Sequence, residues 1–131
     1  GEDTLSLHDA LPIFEEEKLQ QNAFHVGKVL LEGFHKLMDQ FPIIGDVRGH
    51  GLFVGVELVK DRISQSPAVP EIDNLVERMK EKGYLLSTDG PLHNVLKIKP
   101  PIVFSEQNAL DLLEDFKIVL EQFYKENDII S

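Results

Sequence analysis

Cysteine is absent from this 131-residue chain, and so is tryptophan. Without a thiol there is no thiolate nucleophile, iron–sulfur cluster, cysteine zinc site or disulfide staple, and the composition suits a reducing compartment. No apolar run approaches the ~20 residues that a membrane span needs, and the first residues lack the basic n-region and apolar h-region of a secretory signal. Bases are scarce too. Lys and Arg number 13 against 23 Asp and Glu, a formal charge of −10, which argues against nucleic acid or an anionic membrane as partner because both require a basic face. A soluble, cytosolic protein is expected. What is present, 42% apolar and 27% charged residues, is the make-up of a globular domain; at this length a fold buries roughly two-thirds of its unfolded surface, enough for a core without staples.

The acidity sits at the ends. Residues 1–41 hold eight acids and three bases and residues 105–131 seven and two, while residues 42–104 hold eight of each. That neutral middle contains every arginine, Arg48, Arg62 and Arg78, together with Lys97 and Lys99. An anion site is expected there.

Apolar residues from about Phe14 to Phe41 (Leu19, Ala23, Val26, Leu30, Phe34, Leu37, Met38) recur at three- and four-residue steps, predicting one long amphipathic helix that Pro42 stops. Gly27 and Gly33 each cost that helix about 1 kcal/mol relative to Ala, which predicts close packing at both. The β-branched, Gly-rich stretch from Ile43 to Val59 reads as strand with a kink or bulge near Gly49 and Gly51, and period two puts Gly49, Gly51 and Gly55 on one face. Lys60–Pro70 reads as a loop. Ile72, Leu75, Val76 and Met79 then mark a helix over residues 70–82, with Pro70 at its start and Gly83 past its end. Tyr84–Ser87 and Asn94–Lys99 read as strands around a Thr88-Asp89-Gly90-Pro91 turn. Ser105 caps a last helix with Ala109, Leu112, Leu113, Phe116, Leu120 and Phe123 on its apolar face. The order α, β, α, β, β, α predicts an α+β, two-layer domain: a small, mostly antiparallel sheet packed by helices.

Few constellations carry chemistry. Gly49-His50-Gly51-Leu52-Phe53-Val54-Gly55 imitates a dinucleotide fingerprint, but its third glycine is one residue late and no helix opens there. The five histidines (8, 25, 35, 50, 93) show no metal-ligand spacing, so no metal is expected. There is no G-x-S-x-G elbow, though sequence alone leaves a dispersed Ser/His/Asp triad open. The remaining candidate is Asn94-Val95-Leu96-Lys97-Ile98-Lys99-Pro100-Pro101. Strand alternation places Lys97 and Lys99 on one face, either as point charges for a carboxylate or phosphate or as solvated lysines guarding a sheet edge.

The strings GDVRGHGLFVGVE (Gly45 to Glu57) and LLSTDGPLHNVLKIKPPIVFS (Leu85 to Ser105) give a family likeness. Over roughly Ile13 to Tyr124 the chain resembles the C-terminal small domain of class III pyridoxal-phosphate aminotransferases. Within that class it is similar to the alanine–glyoxylate-aminotransferase-like branch, which includes ethanolamine-phosphate and phosphohydroxylysine phospho-lyases. The resemblance implies a fold-type I enzyme acting on a small-molecule amine, homodimeric, whose pyridoxal 5'-phosphate is held by a large domain that precedes this segment and supplies the Schiff-base lysine. It therefore implies no catalytic and no cofactor-binding residue in the chain. It does imply a substrate-binding role for Lys97, which stands where ornithine-type members carry the arginine for the substrate α-carboxylate; lysine there is what the phospho-lyase branch shows.

Residues 1–12 have no counterpart in that family, and GEDTLSLHDALPI resembles a translated sequencing adapter. The expected division is a foreign segment over 1–12 and the small domain over 13–131, a fragment inactive alone, from a cytoplasmic parent or a mitochondrial one if a transit peptide precedes it. The rival from another class is a free-standing α+β ligand-binding or interaction module without catalysis.

Overall fold

The computed structural model describes residues 13–50 and 53–127. The expectations for residues 1–12 and for Gly51 lie outside these. Helix α1, Ile13–Gln40, buries Ala23, Val26, Leu30, Phe34 and Leu37 along one stripe, as the period predicts. Its last turn contains no basic residue. The positive charge at that carbonyl end comes instead from Arg62, whose Nη2 donates to Met38 O in the last turn and, just beyond the helix, to Phe41 O at 3.4 Å and Ile44 O at 3.1 Å, a remote cation at the negative end of the helix. Helix α2, Val69–Glu81, has proline in its first turn and is followed by Gly83 at φ +100°, a left-handed stop suited to glycine. Helix α3, Glu106–Glu126, opens with a reciprocal cap: Asn108 N–H donates to Ser105 Oγ at 3.0 Å and Ser105 N–H donates to Asn108 Oδ1 at 2.9 Å.

Five strands form the sheet: β1 Ile44–His50, β2 Phe53–Asp61, β3 Ser66–Pro67, β4 Ser87–Asp89 and β5 Val95–Ile98. All pairs are antiparallel, in the order β1-β2-β5-β4, with β3 also on β2. The fold is the α+β two-layer arrangement expected, with three corrections besides the end of β2, the short strand β3 and the start of α2 that form within Lys60–Pro70, expected as a loop. The stretch read as one kinked strand is a hairpin, in which His50 pairs with Phe53, Gly49 with Val54 and Arg48 with Gly55. Reversal of the chain puts Gly49 and Gly55 on opposite faces: a Cβ at Gly49 would lie 3.3 Å from Leu31 of α1, whereas one at Gly55 would meet Val95 on the other side. Secondly, Tyr84 and its neighbours are not strand. Gly83 and Tyr84 N–H groups bond back to Lys80 O and Met79 O, extending the end of α2, and the Tyr84 hydroxyl donates to Asp115 Oδ2 of α3 at 2.7 Å. Thr88 and Asp89 accordingly belong to β4, and the reversal falls at Gly90–His93, where Gly90 and His93 have φ of +90° and +55°. Thirdly, the two glycines of α1 differ. A Cβ at Gly33 would collide with Leu113 Cδ1 at 2.3 Å, while one at Gly27 would meet nothing within 4 Å.

The core lies between the helices and one sheet face. Val54, Val56 and Leu58 of β2 and Leu96 and Ile98 of β5 are sealed there with Leu30, Phe34, Ile72, Leu75, Met79 and Phe116. Phe34 and Phe116 meet edge to face, with centroids 5.3 Å apart, a favoured aromatic geometry. Asn94, the buried polar residue of this region, fixes the start of β5: its Nδ2 donates to Leu58 O at 2.9 Å and its carbonyl accepts Leu58 N–H at 2.8 Å. That anchor sets the register which puts Lys97 directly opposite Gly55.

Candidate functional site

With apolar side chains committed to the helices, the polar residues of the strands fall on the other face. Pairing aligns Arg48, Gly55, Lys97 and Ser87 in one row across four strands. Beside the row is an open concavity of about 270 Å³ lined, among the described residues, by strand and turn residues, Phe53, Gly55, Asp89 and Val95 included. The Lys97 ammonium stands above two of these, 4.8 Å from the Phe53 ring centroid and 3.9 Å from Asp89 Oδ2. Both lie diagonally across from Lys97, within reach of a long side chain. The first contact is a cation–π interaction. At 3.9 Å the second is an ion pair and too long for a hydrogen bond.

Arg48 is bound differently. Its Nη1 donates to Asp46 Oδ2 at 2.7 Å and to Glu57 Oε1 at 3.0 Å, and these bonds, Glu57's foremost, raise its pKa against the opposing effect of burial. Two cations, Arg48 and Lys97, thus face three carboxylates, Asp46, Glu57 and Asp89, a local balance of minus one. Lys97 is the cation of this face with a single, loosely held carboxylate. Lys99 does not share the site: β5 ends at Ile98 and Lys99 is exposed beyond it. Sequence reasoning singled out Lys97 but not its neighbours Phe53, Asp89 and the Arg48 cluster, because diagonal neighbours follow from register. The signal at hand was the hairpin: once Arg48 pairs with Gly55, the rest of the row follows.

A larger concavity of about 900 Å³ lies at the other end of the sheet, against Arg62, Arg78, Glu71 and Tyr124. Its arginines are engaged, Arg62 by Met38 O of α1 and by Ile44 O of β1, and Arg78 by Glu126 and by Asn74 Oδ1 at 2.6 Å. Size alone therefore does not make it the stronger candidate. Among the described residues no group of three or more acids and histidines is placed to hold a metal, and no helix is long and apolar enough to cross a membrane.

The family model for class-III aminotransferases matches residues 4–120. The chain belongs to the class-III aminotransferase family. It is 45% identical over 115 residues to an alanine–glyoxylate aminotransferase 2-like protein of Drosophila melanogaster, covering 87% of this chain and 23% of that protein. It is 45% identical over 104 residues to alanine–glyoxylate aminotransferase 2 homolog 2, mitochondrial, of Arabidopsis thaliana, covering 79% of this chain and 22% of that protein. A phospholyase from Arthrobacter, solved in complex with phosphoethanolamine, superposes with a TM-score of 0.76 at 34% identity, covering 83% of this chain and 26% of that one. The chain thus spans about a quarter of the proteins it matches.

This family uses pyridoxal phosphate, a cofactor bound covalently by a desolvated lysine. The residues described do not fit that group by themselves: no described lysine is buried, and Lys97, the one beside a site, is held by Asp89 and Phe53 at an open sheet surface.

Proposed function

We propose that the chain is the C-terminal small domain of a larger pyridoxal-phosphate-dependent enzyme acting on a small primary amine, a phospho-lyase or an aminotransferase, and that Lys97 binds the anionic group of the substrate. The cofactor, held by the rest of the parent protein, supplies the electron sink for the bond-breaking step. The observation that carries the reading is the position of Lys97, a cation on a sheet face that no described helix covers, seated over an aromatic ring and opposed by one loosely held carboxylate. An ammonium is a compact, rotatable point charge. It can hold a phosphate from any side, without the two-point geometry that the planar fork of arginine brings to carboxylate and phosphate alike. The match to a phospholyase solved with phosphoethanolamine supports the phospho-amine choice. A homodimeric parent is part of the proposal, as is a cytoplasmic location, or a mitochondrial one of the kind named for the Arabidopsis relative.

The test is steady-state kinetics of the full-length enzyme with ethanolamine phosphate, phosphohydroxylysine and an ω-amino acid. Lys97→Ala should lower kcat/KM for the phospho-amines about tenfold or more, the loss of one charge-assisted hydrogen bond. Lys97→Arg should shift preference toward substrates with a free α-carboxylate. Unchanged rates for all three substrates with Lys97→Ala would reduce the residue to an edge-strand lysine.

A further inference from the structure

We propose that Asp89 is the resident counter-ion of Lys97, displaced when an anionic substrate group binds, and that it thereby sets how strongly the site takes a phosphate or carboxylate. The inference rests on the assignment of Lys97 above and extends it to a residue on a different strand. Three observations carry it. The Lys97–Asp89 separation of 3.9 Å, with side chains 37% and 61% exposed, describes a solvated ion pair, a contact that a competing anion can replace at little cost. The seat of Lys97 does not depend on Asp89, since the ammonium also stands 4.8 Å over the Phe53 ring; removing the carboxylate leaves the cation in place. Finally, the face is net negative without a substrate, because Arg48 is already matched by Asp46 and Glu57. An anion approaching Lys97 therefore meets the repulsion of Asp89, and no other cation of the row compensates. Asp89 ends β4 beside Gly90 at φ +90°, so its side chain lies at a turn, with room to swing aside.

A counter-ion and a structural support respond to mutation in opposite directions. In the full-length enzyme, Asp89→Asn keeps the shape and removes the charge, so KM for ethanolamine phosphate should fall about two- to fivefold, the range for losing one exposed ion pair. The inhibition constant for inorganic phosphate should fall with it. Both gains should vanish in a Lys97→Met background, and Asp89→Ser should repeat the effect, which guards against a peculiarity of the amide. If Lys97→Ala weakens substrate binding while Asp89→Asn leaves KM unchanged or raises it, the counter-ion assignment is wrong and the role of Lys97 stands. If neither substitution moves KM or the phosphate inhibition constant, both assignments fall together.

Discussion

Gly27 and Gly33 lie six residues apart on α1, and the structure assigns different outcomes to the same substitution at each. Replacing a helical glycine by alanine gains about 0.8–1.0 kcal/mol of propensity where the new methyl group has room. At Gly27 it has, since nothing lies within 4 Å of the added Cβ. Gly27→Ala should raise the thermal midpoint by about 3–5 °C for a domain of this size. At Gly33 the Cβ would sit 2.3, 2.7 and 3.0 Å from Leu113 Cδ1, Cδ2 and Cγ, so the whole end of a half-buried leucine must move. Overpacking of that kind costs about 1–3 kcal/mol, which cancels or exceeds the propensity gain and leaves Gly33→Ala between neutral and about 2 kcal/mol destabilising. In a Leu113→Ala background the clash is gone and Gly33→Ala should become stabilising, a coupling that Gly27→Ala, about 9 Å away along the axis, should not share. Thermal unfolding followed by far-ultraviolet circular dichroism measures all of these. Equal shifts of the same sign at both glycines, or a Gly33 effect indifferent to residue 113, would refute the steric argument.

Tyr84 predicts an alkaline limb. Burial, then the hydrogen bond to Asp115, pushes its phenol from 10.0 up to about 12; a raised pKa means its contribution is complete below pH 10 and lost as pH climbs from 10 through 12. Urea midpoints across that window should fall less steeply for Tyr84→Phe than for the wild type, and parallel slopes would contradict the assignment. Tyr124 Oη accepts the Ile43 N–H at 3.0 Å in a buried setting, so Tyr124→Phe, which orphans that donor, should cost about 1–3 kcal/mol in denaturant titration. No lysine of the isolated chain should yield a borohydride-reducible adduct with stoichiometric pyridoxal phosphate; a defined modified peptide in mass spectrometry would overturn the view that the cofactor's lysine lies elsewhere in the parent.

The helices were legible because each commits apolar residues to one stripe over several turns. Ile72, Leu75 and Met79, and Ala109, Leu112, Phe116 and Leu120, are all buried as their spacing demands. Even the Ser105 cap follows from the hydroxyl before the apolar run, although its reciprocal partner is Asn108, where the usual signature has Glu or Gln. The strands were harder to read. Nothing of Asn-Gly or Asp-Gly type marks the reversal between His50 and Phe53, so the hairpin looked like a single strand and the faces of Gly49 and Gly55 were confused. Tyr84 has strand propensity, but a backbone bond to Met79 and a hydroxyl partner on α3 claim it for the helical layer. Lys97 was placed on the polar face by alternation within its own strand, and set apart from Lys99 only by the family resemblance. Asp89 and Phe53 were not, because they reach it only through pairing across β4, β5 and β2.

Among the described residues the helical packing lies behind one side of the sheet, while Arg48, Gly55, Lys97 and Asp89 stand on the other. Folding and the recognition proposed for Lys97 thereby fall to alternate residues of the same strands. Exposed positions away from packing and capping features typically change stability by no more than about 0.5 kcal/mol, so the second set can drift in charge and shape while the first stays fixed. On the proposed reading, such a surface lets descendants of one scaffold exchange one substrate anion for another in few mutational steps, each tolerated by the fold before it proves useful.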